Sequence, residues 1–177
     1  MTTRTRLSLD EFLALPGIDE RRLELLDGEV YEKVSPRWGH GNLAGELYVL
    51  LREHGFASVE PRAIIPSSAT MDASAPLPDL AFYREKRPDV FDWMREPPDI
   101  AVEVLSPGQR RPEIRAKVDA YLAFGVKSVW VFDLERETLD VYEDGSRRTL
   151  GRGDAITTSV VPGLRISLDG LLQSIGL

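Results

Sequence analysis

The stretch that decides the fold is PPDIAVEVLSP, residues 97–107. Ile100, Val102, Val104 and Leu105 make it apolar enough for a strand covered on both faces, and prolines close its ends. Glu103 interrupts that run. A buried ionised carboxylate without a partner is costly, so this glutamate needs a counter-group from another element. Side chains alternate along a strand, which puts Asp99, Ala101, Glu103 and Leu105 on one face and Ile100, Val102 and Val104 on the other. Asp99 and Glu103 then lie about 13 Å apart along the strand, too far to share one ion.

The next segments complete a crossover. Arg111 to Phe124 reads as a helix that stops at Gly125, and SVWVFD, Ser128–Asp133, is a second apolar strand. Strand, helix and strand in that order indicate a parallel pair. TLDVYE then closes a hairpin, with Val129, Val131, Leu139 and Val141 expected on its buried face, and a short strand is expected over 146–150.

Upstream, Ser8 and Glu11 form a capping box for a short helix that Pro16-Gly17 ends. RRLEL and EVYEKV flank Asp27-Gly28, a strong hairpin signal. Residues 38–54 carry Leu43, Leu47, Leu50 and Leu51 on one stripe of an amphipathic helix. A strand near residues 57–65 and another in PDLAFYR follow. These elements predict an α/β (α+β) fold, a mixed central β-sheet flanked by helices, with residues 1–177 as one domain.

Composition narrows the chemistry. The chain of 177 residues is 42% hydrophobic and 29% charged, ordinary for a globular protein. It has no cysteine and two histidines, His40 and His54. Disulfides, thiolate zinc sites and cysteine nucleophiles are thereby excluded, and any metal is expected to be a hard ion on carboxylates. The net charge of −7 weighs against nucleic acid as a whole but leaves room for a local basic patch. There is no apolar run of about 20 residues and no apolar core of a secretory signal near the start, so a cytoplasmic location is expected.

Asp79, at the head of PDLAFY, is the best partner for Glu103, although an Asp after Pro is also a common turn former. On the following helix Ile114, Val118, Tyr121 and Leu122 form an apolar face. Lys117 stands at its border, able to lay its stem along the sheet and bring its ammonium to the strand. An ordinary surface pair with Glu113 is the competing reading. Arg110, Arg111 and Arg115 precede or flank Lys117 and are candidates to neutralise phosphates; a solvated helix end is the alternative.

An aspartate, a glutamate on the next strand and a nearby lysine are the ingredients of the PD-(D/E)xK nuclease superfamily. The wider sequence resembles one branch of it, the Uma-type family of restriction endonucleases. The likeness runs through LDEFLAL, RRLELLDGEVYE, His40 at the head of a helix, PDLAFY, PDIAVEVLSP, EIRAKVDAYLAFGVKSVWVFD and the VPGLRISL tail. It implies a restriction-endonuclease-like fold and a metal-dependent DNA endonuclease. Asp79 and Glu103 would hold Mg²⁺, or Mn²⁺ in its place, Lys117 would orient or activate water, and Glu24 would assist. His40 matches a family position without an assigned role. In the superfamily the lysine stands two residues after the glutamate, where this chain has Leu105, so Lys117 would supply the ammonium from the helix. A homodimer acting on DNA is the expected form. The alternative is an inactive nuclease-fold protein that binds nucleic acid or a protein partner.

Overall fold

The computed structural model describes residues 6–33, 35–86, 89, 91–106 and 111–177. Helix α1 (Leu9–Leu13) starts at Ser8, whose hydroxyl accepts from the Glu11 N–H while Glu11 accepts from the Ser8 N–H at 2.8 Å. Strands β1 (Leu23–Leu26) and β2 (Glu29–Glu32) form an antiparallel hairpin. Asp27 and Gly28 turn it with φ of 48° and 76°, the paired left-handed conformations that let a two-residue turn follow the strand twist.

Helix α2 (Trp38–Arg52) is followed by β3 (Phe56–Val59), β4 (Leu80–Tyr83) and β5 (Ile100–Val104). Helix α3 (Arg111–Phe124) leads to β6 (Ser128–Asp133), β7 (Thr138–Glu143) and β8 (Ser146–Leu150). The order across the sheet is β3-β4-β5-β6-β7-β8. Among the described strands of this sheet β5 and β6 are the parallel pair, and α3 lies in their connection. Two short strands, β9 (Ala155–Ile156) and β10 (Ile166–Ser167), pair with each other ahead of helix α4 (Leu168–Ser174).

The central strands β4, β5 and β6 are buried on both faces. Ile100, Val102 and Val104 of β5 join Leu43, Leu47 and Leu51 of α2 and Leu168, Leu171 and Leu172 of α4 in one core. Ala101 of β5 looks the other way, toward Val118, Ala120 and Tyr121 of α3. A third cluster joins Phe12 of α1 to Leu23 and Leu25 of the hairpin. Within this cluster the Arg62 guanidinium is buried and donates to the carbonyls of Ile18, Leu23 and Ala75. Its remaining charge is met by Asp19 at 2.9 Å. No helix among the described residues is long and apolar enough to cross a membrane.

Three sequence expectations need correction. The strand expected over 57–65 stops at Val59, because Glu60 turns into a left-handed φ of 50° and Pro61 has no N–H for the ladder. Val129 and Val131 do not share a face with Leu139 and Val141. The register sets Trp130 against Val141 and Phe132 against Leu139, while Val129 and Val131 face α3; a strand covered on both sides carries no alternation to read. On α3, Leu122 is 42% exposed and not on the buried face expected of it, and Lys117, expected at the border of that face, is fully buried.

Gly55 connects α2 to β3 where the chain passes the end of β4. A Cβ there would collide with the Tyr83 carbonyl oxygen and lie 2.9 Å from Arg84 Cα. Both obstacles are backbone and cannot swing aside. Gly55→Ala is therefore expected to destabilise the fold by about 1–3 kcal/mol in urea unfolding. A loss under about 0.5 kcal/mol would mean the α2–β3 junction relaxes freely.

Candidate active site

The register of the sheet brings the acids together. Leu80 pairs with Val102 in antiparallel sense, so the residue before β4, Asp79, falls opposite Glu103. Asp79 donates its N–H to Val102 O at 2.9 Å, and its Oδ2 accepts the Val104 N–H at 2.6 Å. Its carboxylate thus stays on the ladder where β4 ends and β5 continues. Asp79 and Glu103 are each 1% exposed. Asp99, at the other end of β5, accepts from the Arg84 N–H and pairs with Lys127, away from this centre.

Glu103 points to α3. Lys117 Nζ lies 3.1 and 2.9 Å from its two oxygens, and Tyr121 donates its hydroxyl to Oε1 at 2.6 Å. The same ammonium is 2.8 Å from Oε1 of Glu24 on β1. Glu24 Oε1 also accepts the Leu77 N–H at 2.7 Å, while its Oε2 is buried with no hydrogen-bond partner among the described residues. Lys117 is wholly buried, so the surface pair with Glu113 is not what it forms. The lysine reaches Glu103 from the helix, although Leu105 occupies the strand position.

Asp79 has its own cation. Lys33, just beyond β2, places Nζ 2.5 Å from Asp79 Oδ1 and donates to Leu77 O at 2.7 Å. Glu60 lies 3.6 Å from the same ammonium and is also paired with Arg22. His40, in the first turn of α2, brings Nε2 within 2.9 Å of Asp79 Oδ1, off the line of a hydrogen bond. Its Nδ1 is 3.4 Å from Ser106 Oγ.

Lys33 and the hydroxyl of Tyr121 do not stand out in the sequence as site groups. Lys33 reads there as one more charge at a hairpin end, and Tyr121 as part of the apolar face of α3. The only signal is alternation, which puts Lys33 on the same side of β2 as Tyr31.

These contacts set the ionisation. Burial pushes the Asp79 carboxyl up, but His40 and the Lys33 ammonium outweigh it and hold the group well below the usual carboxylate range. Burial pushes Glu103 up to about 7, against the opposing pull of Lys117. Burial also works to lower the Lys117 ammonium, yet Glu103 and Glu24 keep it above its ordinary value and so charged.

Arg111 and Arg115 are exposed on the first turns of α3, and Arg115 pairs with Asp119 at 3.0 Å. With Leu105 and Ser106 they line a cleft of about 490 Å³ between α3 and the β6–β8 strands. Arg110 lies outside the described residues. Among the described residues no three His, Asp or Glu side chains already close on one point as an ion cage. The donors present are nonetheless oxygens of Asp79, Glu103 and Glu24, and Glu24 Oε2 is a buried acceptor left over. That chemistry fits a hard divalent ion.

Comparison with known proteins bears on the family and the fold. A family model, Uma2, described as "putative restriction endonuclease", matches residues 9–169. Among solved structures, a "putative nuclease belonging to DUF820" from Anabaena variabilis superimposes with a TM-score of 0.81. It is 22% identical, and the match covers 96% of this chain and 99% of that one. The mixed central sheet flanked by helices is thus a nuclease-like fold. No curated protein matches the chain.

Two outcomes test the electrostatics. Lys117→Met leaves Glu103 and Glu24 without their buried counter-charge and hydrogen-bond donor and is expected to cost about 3–5 kcal/mol in urea unfolding at neutral pH. A cost below about 1 kcal/mol would mean that solvent reaches the pair.

The second outcome is a pH dependence measured in EDTA. Glu103 holds its proton more tightly folded, at about 7, than unfolded, near 4.5, so its contribution is complete below pH 4.5 and is lost as pH rises through 7. Asp79 has the opposite sign: its contribution is present above the ordinary 3.8 and is lost as pH falls below it. Glu103→Gln should remove the decline in Tm between pH 4.5 and 7, and Asp79→Asn should flatten the acid limb. A neutral-side decline that persists in Glu103→Gln assigns it to another group.

Proposed function

The chain belongs to the Uma2 family, and from that premise we propose that it is a metal-dependent endonuclease that hydrolyses phosphodiester bonds of DNA, working as a cytoplasmic homodimer. The observation that carries this reading is the buried Lys117 ammonium, 2.9 Å from Glu103 on β5. It answers the departure at Leu105: the cation comes from α3, and a site is defined by where its groups meet.

Asp79 and Glu103 would hold the ion, Mg²⁺ or Mn²⁺, with Glu24 beside them. When bound, such an ion supplies Lewis-acid charge and lowers the pKa of a coordinated water. The remaining work belongs to the side chains. Asp79 stays ionised because Lys33 and His40 hold it so. Lys117, kept cationic between two carboxylates, orients the attacking water and offsets the charge that grows on the non-bridging phosphate oxygens. Tyr121 fixes Glu103 by donating to Oε1, while the Lys117 ammonium spans both oxygens. Arg111 and Arg115 line the cleft beside Ser106 and meet backbone phosphates, a role proposed also for Arg110.

One observation favours the second reading, a nuclease-fold module that binds without cutting. Lys33 and Lys117 already neutralise the candidate ligands from within the chain. Nicking of supercoiled plasmid in Mg²⁺ or Mn²⁺ separates the two readings. Cleavage is expected, falling by about 100-fold or more in Glu103→Gln and in Lys117→Met. Absence of nicking in every metal, or equal nicking by Glu103→Gln, leaves the binding module. Ala at Arg111 or Arg115 should shallow the salt dependence of DNA binding by about 0.9 in the log–log slope for each phosphate that is no longer neutralised.

A further inference from the structure

Lys33 and Lys117 both enter the acidic centre, but they are held differently. Lys117 is wholly buried, and so are its partners Glu103 and Glu24. Lys33 comes from the hairpin end with its side chain 7% exposed. It stands between Asp79, which is buried, and Glu60, whose side chain is 35% exposed.

Oxygens surround the Lys33 ammonium. Nζ lies 2.5 Å from Asp79 Oδ1, 2.7 Å from the Leu77 carbonyl oxygen and 3.6 Å from Glu60 Oε1. Two carboxylates and a backbone carbonyl are the kind of donors that a hard divalent ion takes. The ammonium therefore stands on ground suited to a cation. Asp79 has little else to offer an ion: Oδ2 accepts the Val104 N–H at 2.6 Å, and Oδ1 also meets His40 Nε2 at 2.9 Å. An ion and an ammonium on the same oxygen are like charges at close quarters, and they repel.

The lysine has a second partner to go to. Its backbone N–H is fixed on Arg22 O at 3.1 Å, so a swing belongs to the flexible four-carbon stem. Glu60, the more exposed of its two acids, is near enough to receive the ammonium while keeping its own pair with Arg22.

We propose that Lys33 is a tethered competitor of the metal ion: its ammonium holds the cation place at Asp79 Oδ1, moves to Glu60 as the ion binds, and so sets the affinity of the site. This rests on the nuclease reading above, in which Asp79 is an ion ligand. Exchange of one cation for another also spares Asp79 from standing as a bare buried charge.

The test is Mn²⁺ binding to the whole chain without nucleic acid, read as loss of the free-ion electron paramagnetic resonance signal, so cleavage plays no part. Lys33→Met should bind Mn²⁺ about tenfold or more tightly than the wild type, the gain expected where the competent form is about a tenth or less of the population. Glu60→Gln should weaken binding at least about fivefold in the wild type and less than about twofold in Lys33→Met, because only the lysine needs an outer acid. The wild type alone gives a further measurement, acetylation by an N-hydroxysuccinimide ester followed by peptide mass spectrometry. In EDTA, Lys33 should be protected relative to the exposed Lys86 and Lys127. Saturating Mg²⁺ should speed its acetylation at least about fivefold while Lys117 stays protected.

Measurable and equal Mn²⁺ affinity in Lys33→Met and wild type overturns this inference alone. So do equal losses from Glu60→Gln in the two backgrounds, or Lys33 equally protected in EDTA and in saturating Mg²⁺. Mn²⁺ bound by Lys33→Met but not by the wild type supports it. Mn²⁺ bound by neither, or as tightly by Asp79→Asn as by the wild type, overturns the metal reading and this inference with it.

Discussion

The buried ammonium of Lys117 ties three parts of the chain to one point. It comes from the crossover helix, contacts Glu103 in the centre of the sheet, and reaches Glu24 on a hairpin outside that sheet. The hairpin is also joined to the rest by a bridge from Leu25 to Ala75, by the Lys33–Asp79 ion pair, by the apolar cluster around Phe12 and by the carbonyls gathered on Arg62. Apolar packing orients such pieces loosely. A lysine whose protons must find specific oxygens fixes their distance and rotation, because a misplaced hairpin leaves buried charges unpaired.

Stability alone does not explain this arrangement. Replacing a buried ion group by well-packed apolar residues is often neutral or favourable. Here the charges are also asymmetric. Asp79 is driven to stay ionised, whereas Glu103 is pushed toward its proton, though both lie at the same junction of β4 and β5. Environments that drive two neighbouring carboxyls apart are the usual mark of a site where the groups have different tasks.

Much of this is legible in the sequence, and the physical reason differs residue by residue. Strand alternation assigns Glu103 to the face opposite Val102 and Val104, and the structure agrees, because β5 has no bulge to shift the pattern. Asp27-Gly28 sets the hairpin because that dipeptide tolerates two left-handed φ values. Lys117 is recognisable but reads as a residue at the rim of its helix face, since sequence scales treat lysine as a surface residue and cannot see the carboxylates that let it go in. Lys33 is invisible to such a reading. Its contact with Asp79 spans the whole of α2, β3 and the loop that follows, and no local pattern reports a pairing of that reach. The double-sided burial of β6 hides its faces for a simpler reason: SVWVFD is apolar on both, so it carries no period.

The parallel pair in the sheet has a kinetic side. Hairpins such as β6–β7–β8 close over a few residues, whereas β5 meets β6 across the whole length of α3, a longer loop to close. Glu24, near the start of the chain, finds Lys117 only once that crossover is docked. The charged centre joins residues far apart in the chain, so its assembly carries a large loop-closure cost. During synthesis the N-terminal half, with Glu24, Asp79 and Lys33, emerges before its second lysine exists. A nascent or half-folded chain has the acids without their full set of counter-charges, so their pairing waits on the completed fold.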